Sequence, residues 1–301
     1  MRNLYNLIDK QFAYNKLKNI FYKQYPTTSW FAPATSDFLA KNLLLLKQIK
    51  ATGDDKIIDL LLTKALNTFY SINQYYYFGR THQVMLEKIY QKLLNQVRAA
   101  SSKEALNTIA LTHQRNLQNW LKASNPFAEN IYGNTAEFIN QPVTCAEYSA
   151  AHQIRLLNIN VQALREPVLD VGCGQAAYLV EYLRSLGLEA RGLDRCATEN
   201  NYLNKTDWFD YRFKEKYWGT IISNVGFSNQ FVHHHLRTDG DFVAYAKKYM
   251  EILNALQVKG TFYYAPHLPF IEQYLESTHF KILNKSIFGT DFALTKITRL
   301  R

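Results

Sequence analysis

A predicted strand that runs into a glycine-containing loop constrains the fold of this chain more than any other segment. The run is Val168-Leu-Asp-Val-Gly-Cys-Gly-Gln-Ala176. Gly172 and Gly174 allow the backbone to approach a ligand that a side chain would block. A helix is predicted over 177–186, and a second short strand follows it and ends at Asp194. This order of strand, loop, helix and strand is typical of α/β proteins that hold an adenosine-containing cofactor.

Two cofactor classes use such a loop. The spacing Gly172-x-Gly174-x-x-Ala177 satisfies the dinucleotide fingerprint, and Asp194 lies 20 positions after Gly174, where a carboxylate can meet ribose hydroxyls. A nicotinamide-dependent oxidoreductase is therefore one alternative. Asp170 argues against it, because nicotinamide-binding folds usually have an apolar residue at that place. The end of the chain also differs, since strand-like runs over 280–287 and 292–298 flank turn residues at 289–291.

The run from Val168 to Gly174 resembles motif I of the class I S-adenosylmethionine-dependent methyltransferases. The resemblance covers roughly residues 145–301. It implies an α/β fold with a doubly wound, mostly parallel sheet of seven strands that closes with an antiparallel hairpin. S-adenosyl-L-methionine is the cofactor that the resemblance implies.

The resemblance also implies a set of cofactor-binding residues. Asp170, Gly172 and Gly174 would line the methionine end of the cofactor, Asp194 the ribose, and the pair Asp207-Trp208 the adenine. The remaining implied residues are Cys173 in the loop, Arg195 beside Asp194, Asn224 after the fourth strand, and Tyr148, Ser149 and Gln153 in the segment before the motif. An ordinary linker helix is the alternative interpretation of that last segment.

Four histidines are the candidate catalytic residues. His233, His234 and His235 follow the fourth predicted strand, and His267 follows the fifth. Histidine titrates near neutrality, so each could act as a base or contact the substrate. Adjacent residues of a helix point about 100° apart, so the triplet cannot converge on one metal ion, and no metal site is predicted. The alternative for these residues is a surface or helix-capping role.

The positive charge of the chain is concentrated in its first half. Residues 1–140 hold 17 Lys and Arg against 9 Asp and Glu, whereas residues 141–301 hold 18 and 16. A basic surface can indicate a nucleic acid or another acidic partner. The lysines are scattered, however, and the loop after the fourth strand lacks the Asn-Pro-Pro-aromatic signature of exocyclic-amine methylation. A solvated lysine-rich surface is the favoured interpretation.

The predicted organisation has three parts. Residues 1–125 are predicted to form an all-helical cap or substrate domain, 126–143 a connector, and 144–301 the cofactor-binding domain. The helical part would cover the second domain or form a homodimer over it. No run reaches the roughly 18 apolar residues of a membrane span, and the first ten residues, with an internal acid, are unlike a secretion signal. Cys145, Cys173 and Cys196 show no metal spacing, which favours a reducing, cytoplasmic setting.

These features together predict an enzyme that methylates a small molecule or peptide, at oxygen or nitrogen, with a role in specialised metabolism as one expectation. One alternative is an RNA or protein methyltransferase that docks through its basic helical part. Another is a non-catalytic partner subunit that keeps the fold.

Overall fold

The computed structural model describes residues 2–22, 30–48, 54–133, 138–143, 147–287 and 293–301. The chain divides into two compact units, Met1–Thr144 and Cys145–Arg301. Cys145 and the predicted turn at 289–291 lie outside the described residues. Within the described ranges, no helix is both long enough and apolar enough to span a membrane.

The described part of the first unit is built from helices. They are α1 (Arg2–Asn15), α2 (Pro33–Lys41), α3 (Leu43–Gln48), α4 (Asp54–Ile72), α5 (Arg80–Ala99), α6 (Lys103–Ser124) and α7 (Phe127–Tyr132). Apolar residues at helical spacing bury one stripe of each long helix, so that Ala65, Leu86 and Leu106 are fully buried. Aromatic rings fill the space between the helices, and Phe78 stacks on Trp120 with ring centroids 4.6 Å apart.

Three helix ends in this unit differ from those that the sequence predicts, which are a first helix ended by Pro26, a second capped by Ser36-Asp37 and a capping box that begins at Ser101. The first helix ends at Asn15 and not near Pro26, because the Asn15 amide turns to donate to the Trp30 carbonyl (3.0 Å). The second begins at Pro33, whose fixed φ suits a first helical turn. The cap of α6 is Ser102, which accepts the amide of Ala105 (3.2 Å), and not Ser101.

Part of segment 126–143, which was predicted to be a connector, packs into the helical unit. Phe127, Ala128 and Tyr132 of α7 are buried in the core of the helical unit. The Asn19 side chain donates to the Tyr132 carbonyl (2.9 Å). The segment contains Pro126 and Gly133, which suggested a linker, but its aromatic residues supply apolar area that the helices bury.

The second unit contains a mixed seven-stranded sheet. Its elements are α8 (Ala150–Leu156), β1 (Val168–Val171), α9 (Tyr178–Ser185), β2 (Ala190–Asp194), β3 (Leu203–Lys205), β4 (Trp218–Asn224), α10 (Phe227–Leu236), α11 (Phe242–Ala255), β5 (Leu256–Ala265), α12 (Pro269–Glu272), β6 (Phe280–Ser286) and β7 (Ala293–Arg299). The strand order is β3-β2-β1-β4-β5-β7-β6, and only β7 runs antiparallel to its neighbours β5 and β6. The predicted α/β class and the seven-stranded, mostly parallel sheet are confirmed.

The order of the strands determines where a ligand can bind. The chain leaves β1 toward β2 and later crosses to β4, so the crevice between β1 and β4 is the switch point of this sheet. All four residues of β1 are buried, as a strand covered on both faces requires. The carboxyl ends of β1, β2, β3, β4 and β5 therefore share one edge, and the predicted site residues of the second unit lie at or near it.

Candidate functional site

The loop after β1 contains backbone conformations that few residues other than glycine adopt. Gly172 and Gly174 have φ of +83° and +77°, in the left-handed region. A Cβ atom on Gly172 would lie 3.6 Å from the Cα of Gly226 and 3.7 Å from the Trp208 ring. The loops after β1 and β4 thus approach each other closely beneath the switch point.

The amides of this loop are occupied by acceptors from the chain itself. The amides of Gly172 and Cys173 donate to the Leu193 carbonyl (2.7 and 3.3 Å). The amide of Gly174 donates to Oδ2 of Asp194 (3.0 Å). The other oxygen of Asp194 accepts the amide of Cys196 (2.7 Å). Asp194 therefore joins the loop after β1 to the loop after β2.

Glu147 binds the part of the loop that precedes helix α9. Its Oε1 accepts the amide of Gln175 (2.7 Å) and the amide of Ala176 (3.3 Å). Both residues come before Ala177, the N-cap residue of α9, so Glu147 fixes the end of the glycine loop. Glu147 is exposed and was not among the predicted site residues. The signal available in the sequence was an acidic residue immediately before the candidate Tyr148.

Asp170 is the least satisfied group of the site. It is 1% exposed, and neither carboxylate oxygen has a hydrogen-bond partner among the described residues. Burial, together with the negative charge of Asp194, raises the pKa of Asp170 to about 7. A buried carboxylate without partners is costly, and a site that keeps one is suited to a ligand that supplies a positive charge or a donor.

The loop after β3 adds a further acid and an indole ring. Asp207 accepts the amide of Phe209 (3.0 Å). Burial raises the pKa of Asp207, and the positive charge of Arg195 partly offsets this effect. The ring of Trp208 packs edge-on against Phe227, and its Nε1 is buried with no partner in the described structure. The predicted residues Asp207, Trp208 and Arg195 therefore lie beside Asp194.

Two candidates lie beyond the ends of β4 and β5. Asn224 ends β4, and its Oδ1 is buried without a partner in the part of the chain that the structure describes. The next residue, Val225, has a φ of 53° and donates its amide to Ala265 (2.9 Å) at the end of β5. His267 follows, half-buried, and its Nδ1 is likewise buried and unpaired within the described ranges.

The residues before α8 make contacts within their own segment. Ser149 caps the helix by accepting the amide of His152 (3.3 Å), and Gln153 donates to the Tyr148 carbonyl (2.8 Å). The Tyr148 ring stacks on His152 at 4.8 Å. These contacts fix the shape of the segment, and Glu147 is the residue that ties it to the glycine loop.

The side chain of Cys173 lies on the inner side of the loop, which differs from its predicted role in cofactor binding. A Cβ atom on Gly192 of β2 would lie 2.7 Å from its Sγ, so the thiol is packed against the sheet. Burial and the charges of Asp170 and Asp194 raise its pKa far above the ordinary value. The thiol is therefore neutral and packs in the core. Cys173 would contribute only its backbone to a ligand site.

The histidine triplet is not gathered into one site. It occupies the last turn of α10, about 9 to 12 Å along the helix axis from Phe227. His233 contacts Arg237 (3.0 Å), and His235 stacks on Phe270 at 3.8 Å. His234 stacks on Tyr245 at 4.7 Å and accepts the amide of Asp241 (3.0 Å).

His234 makes a contact of the helix-capping kind, which was the alternative to a catalytic role, because it accepts the amide of the residue that caps α11. Burial lowers the pKa of both His233 and His234 to about 4, so both rings are neutral at pH 7. The hydrogen bond that His234 accepts from the amide of Asp241, at the beginning of α11, is a structural contact. No group of three His, Cys, Asp or Glu residues that could hold a metal ion occurs among the described residues.

No protein-family model and no curated protein matches this chain. The solved structures that align with about half of it include the following three. The N-methyltransferase NodS from Bradyrhizobium japonicum is 12% identical, with 50% of this chain and 96% of that chain covered and a TM-score of 0.33. The 1,6-didemethyltoxoflavin-N1-methyltransferase of Burkholderia thailandensis, crystallised with S-adenosylhomocysteine, is 14% identical (50% and 76% covered, TM-score 0.33). An rRNA methylase from Streptococcus thermophilus is 13% identical (52% and 100% covered, TM-score 0.34). These neighbours are methyltransferases whose names indicate different substrates.

Proposed function

We propose that the second unit binds S-adenosyl-L-methionine and that the chain methylates a small molecule or peptide at oxygen or nitrogen. The observation that carries this proposal is the charge of the site. Four carboxylates, those of Asp170, Asp194, Asp207 and Glu147, lie on the segments that surround the glycine loop, inside a chain whose net charge is +10. A site of this kind favours a cationic ligand.

The same contacts disfavour the dinucleotide alternative. A pyrophosphate binds through free amides of the glycine loop and of the first turn of the helix that follows it. Here the loop amides of Gln175 and Ala176 donate to Glu147, and the amide of Gly174 donates to Asp194. A phosphate would have to displace one carboxylate and lie close to the buried Asp170. Both requirements oppose a nicotinamide cofactor at this edge.

The residues at the edge fit the groups of S-adenosylmethionine. Asp170 is an orphaned buried acceptor for the positively charged amino-acid end, and Asp194 keeps further lone pairs for ribose hydroxyls. Asp207 and the indole ring of Trp208 offer a carboxylate and an aromatic edge to a purine. When bound, the cofactor supplies an activated methyl group on a sulfonium centre.

The chain itself would align the acceptor and remove its proton. Asn224 and His267 carry unpaired buried atoms beyond the ends of β4 and β5, next to the switch point. An acceptor hydroxyl or amine that donates to Nδ1 of His267 could lose its proton there during the transfer. The rings of the triplet contact Arg237, Tyr245 and Phe270, so His267 is the catalytic candidate that the proposal retains.

Titration calorimetry on the full chain tests the cofactor assignment. S-adenosylmethionine and S-adenosylhomocysteine should bind, whereas NAD and NADP should not. Asp194→Asn should weaken binding by about tenfold or more, because it removes a charged acceptor from the site. Asp59→Asn, an exposed acid of α4, is the matched control and should change nothing. Preferential binding of NAD, or equal affinities of the two variants, would overturn the assignment.

The basic first half of the chain supports one second candidate, an RNA methyltransferase. Phosphate contacts make binding to RNA fall steeply as salt is raised. Transfer of a labelled methyl group should therefore be compared on small hydroxyl and amine acceptors, on peptides and on total RNA, at low and physiological salt. Labelled RNA combined with steep salt dependence would select this candidate. His267→Gln should lower kcat on the true acceptor without changing cofactor affinity, with the exposed His279→Gln as its control.

A further inference from the structure

The helical unit contains an internal cavity of about 100 Å³. Side chains of α1, α4, α5 and α6 and of segments outside these helices line it, and most are apolar or aromatic, among them Phe31, Leu61, Ala65, Phe69 and Leu117. Protein interiors are packed as densely as organic crystals and hold few voids larger than a water molecule. A native cavity of this size therefore needs an explanation that packing alone does not give.

Three polar atoms of the lining lack partners. His113 and Asn140 are 5% and 7% exposed, and their Nδ1 and Oδ1 atoms have no hydrogen-bond partner among the described residues. The Oδ1 of the half-buried Asn15 is unpaired in the same way. Buried polar atoms are nearly always satisfied, so three orphans around one cavity indicate a missing occupant.

The orientation of the two amides shows what the occupant must offer. The Asn15 side-chain nitrogen donates to the Trp30 carbonyl (3.0 Å), and that of Asn140 donates to the Lys18 carbonyl (3.4 Å). Each amide is thus held by its nitrogen, which leaves its oxygen as an acceptor. The occupant must therefore present at least two N–H or O–H donors.

The charge of the lining defines the occupant further. The lining contains no Asp or Glu, and its cation Lys18 lies over the ring of Tyr14, 3.2 Å from the centroid. Burial lowers the pKa of His113 to about 4, so this ring is neutral at pH 7. An occupant with a formal charge would find no counter-ion directed into the cavity. Gln11 and Asn15 of α1 and Lys18 after it are only half-buried, so the lining is least covered on this side.

We propose that this cavity is a binding site for an uncharged, ring-sized small molecule that carries two hydrogen-bond donors, of the class of dihydroxybenzenes. Aromatic and aliphatic side chains would enclose its ring, and the acceptors for its donors would be His113, Asn15 and Asn140. An apolar cavity of about 150 Å³ can hold benzene, so the volume here limits the occupant to about one ring. The site belongs to the helical unit and does not depend on the cofactor proposal.

Ligand titrations on the full chain test this site. Resorcinol, with two hydroxyl donors, should bind saturably by calorimetry and raise the melting temperature. Its dimethyl ether, which keeps the ring but lacks donors, should bind about tenfold more weakly, the factor expected for lost hydrogen bonds. Benzoate, which is anionic, should not bind. A cavity that holds only water would show no saturation with any of the three, and this result would overturn the proposal.

Two variants connect binding to the cavity. Ala65→Phe fills it from the fully buried face of α4 and should abolish resorcinol binding. Because a variant of that size can fail to fold, His113→Leu provides a second test and should weaken resorcinol severalfold while the ether is unaffected. His82→Leu is the matched control, since Nδ1 of His82 is also buried and unpaired but lies outside the lining. An equal loss in His113→Leu and His82→Leu would refute the site, whereas failure of S-adenosylmethionine binding would not affect it.

Discussion

Replacing Asp170 by Asn should raise the stability of the protein and at the same time weaken its binding of S-adenosylmethionine. In the ligand-free protein the ionised carboxylate of Asp170 is buried without a partner and close to Asp194. Asparagine has nearly the same shape and no charge. The substitution therefore removes an electrostatic cost from the folded state and also removes the negative charge that would hold a cationic ligand.

The size of the effect follows from the pKa of the buried carboxyl. The pKa of Asp170 is raised from 3.8 to about 7, which at 1.36 kcal/mol per pKa unit corresponds to a cost of up to about 4 kcal/mol for the ionised form. The folded protein holds a proton there that the unfolded chain has already released. Stability is thus lost as pH rises from about 4 to about 7, and it stays low above that range.

Thermal unfolding of the full chain at two pH values measures this effect. At pH 8.5, Asp170→Asn should unfold at a temperature about 4 to 16 °C higher than the parent, for a gain of about 2 to 4 kcal/mol. At pH 5, where the folded protein still holds the proton and the unfolded chain has released it, the gain should fall to less than half of its value at pH 8.5. Calorimetry should show weaker binding of S-adenosylmethionine to the variant. A variant that is less stable at both pH values would refute the reasoning, because it would mean that the carboxylate makes stabilising hydrogen bonds.

Three further predictions concern packing, a buried network and acid stability. Gly192→Ala should cost about 1 to 3 kcal/mol in urea unfolding, because its Cβ would lie 2.7 Å from both the Cys173 thiol and a methyl carbon of Leu203; adding Cys173→Ala should recover part of the loss, and no recovery at all would contradict this account. Glu272→Ala should cost about 3 kcal/mol or more, since Oε1 of Glu272 accepts the Tyr264 hydroxyl (2.6 Å) and two other donors; a loss below 1 kcal/mol would contradict this. His234→Phe should reduce the stability lost as pH falls from 6.5 toward about 4, because burial lowers the pKa of His234 to about 4; unchanged acid unfolding curves would contradict it.

The sheet was predictable because local signals and tertiary packing agree there. The predicted apolar run corresponds to β1, and the helix predicted over 177–186 corresponds to α9. The strand-like runs near the end of the chain correspond to β6 and β7. The helical unit was harder at its ends. A helix end depends on which side chain reaches an unpaired amide, as Ser102 does and its neighbour Ser101 does not. The packing of α7 within segment 126–143 was not predictable, because Pro and Gly indicate a break in the helix but not the burial of the aromatic residues around them.

The site was partly predictable for a different reason. Residues that follow strand ends, such as Asp194 and Asp207, are placed by topology alone. Glu147 was missed because its contact with the loop depends on how α8 folds back against α9, which no spacing rule encodes. The histidine triplet suggested chemistry by composition, but the packing of its rings on Tyr245 and Phe270 depends on the side chains of two later helices.

The charges of the site and of the chain have opposite sign, and this difference gives the proposal its specificity. A net charge of +10 attracts anions in general, including nucleotides. Glu147 and Asp194 occupy the loop amides, and Asp170 lies beneath them without a partner. An anion drawn to the surface would therefore meet repulsion at the switch point, whereas a cation would neutralise a buried charge that the folded chain otherwise keeps at a cost. The expected stabilisation by ligand should consequently be largest above pH 7, where Asp170 is ionised, and smallest near pH 5.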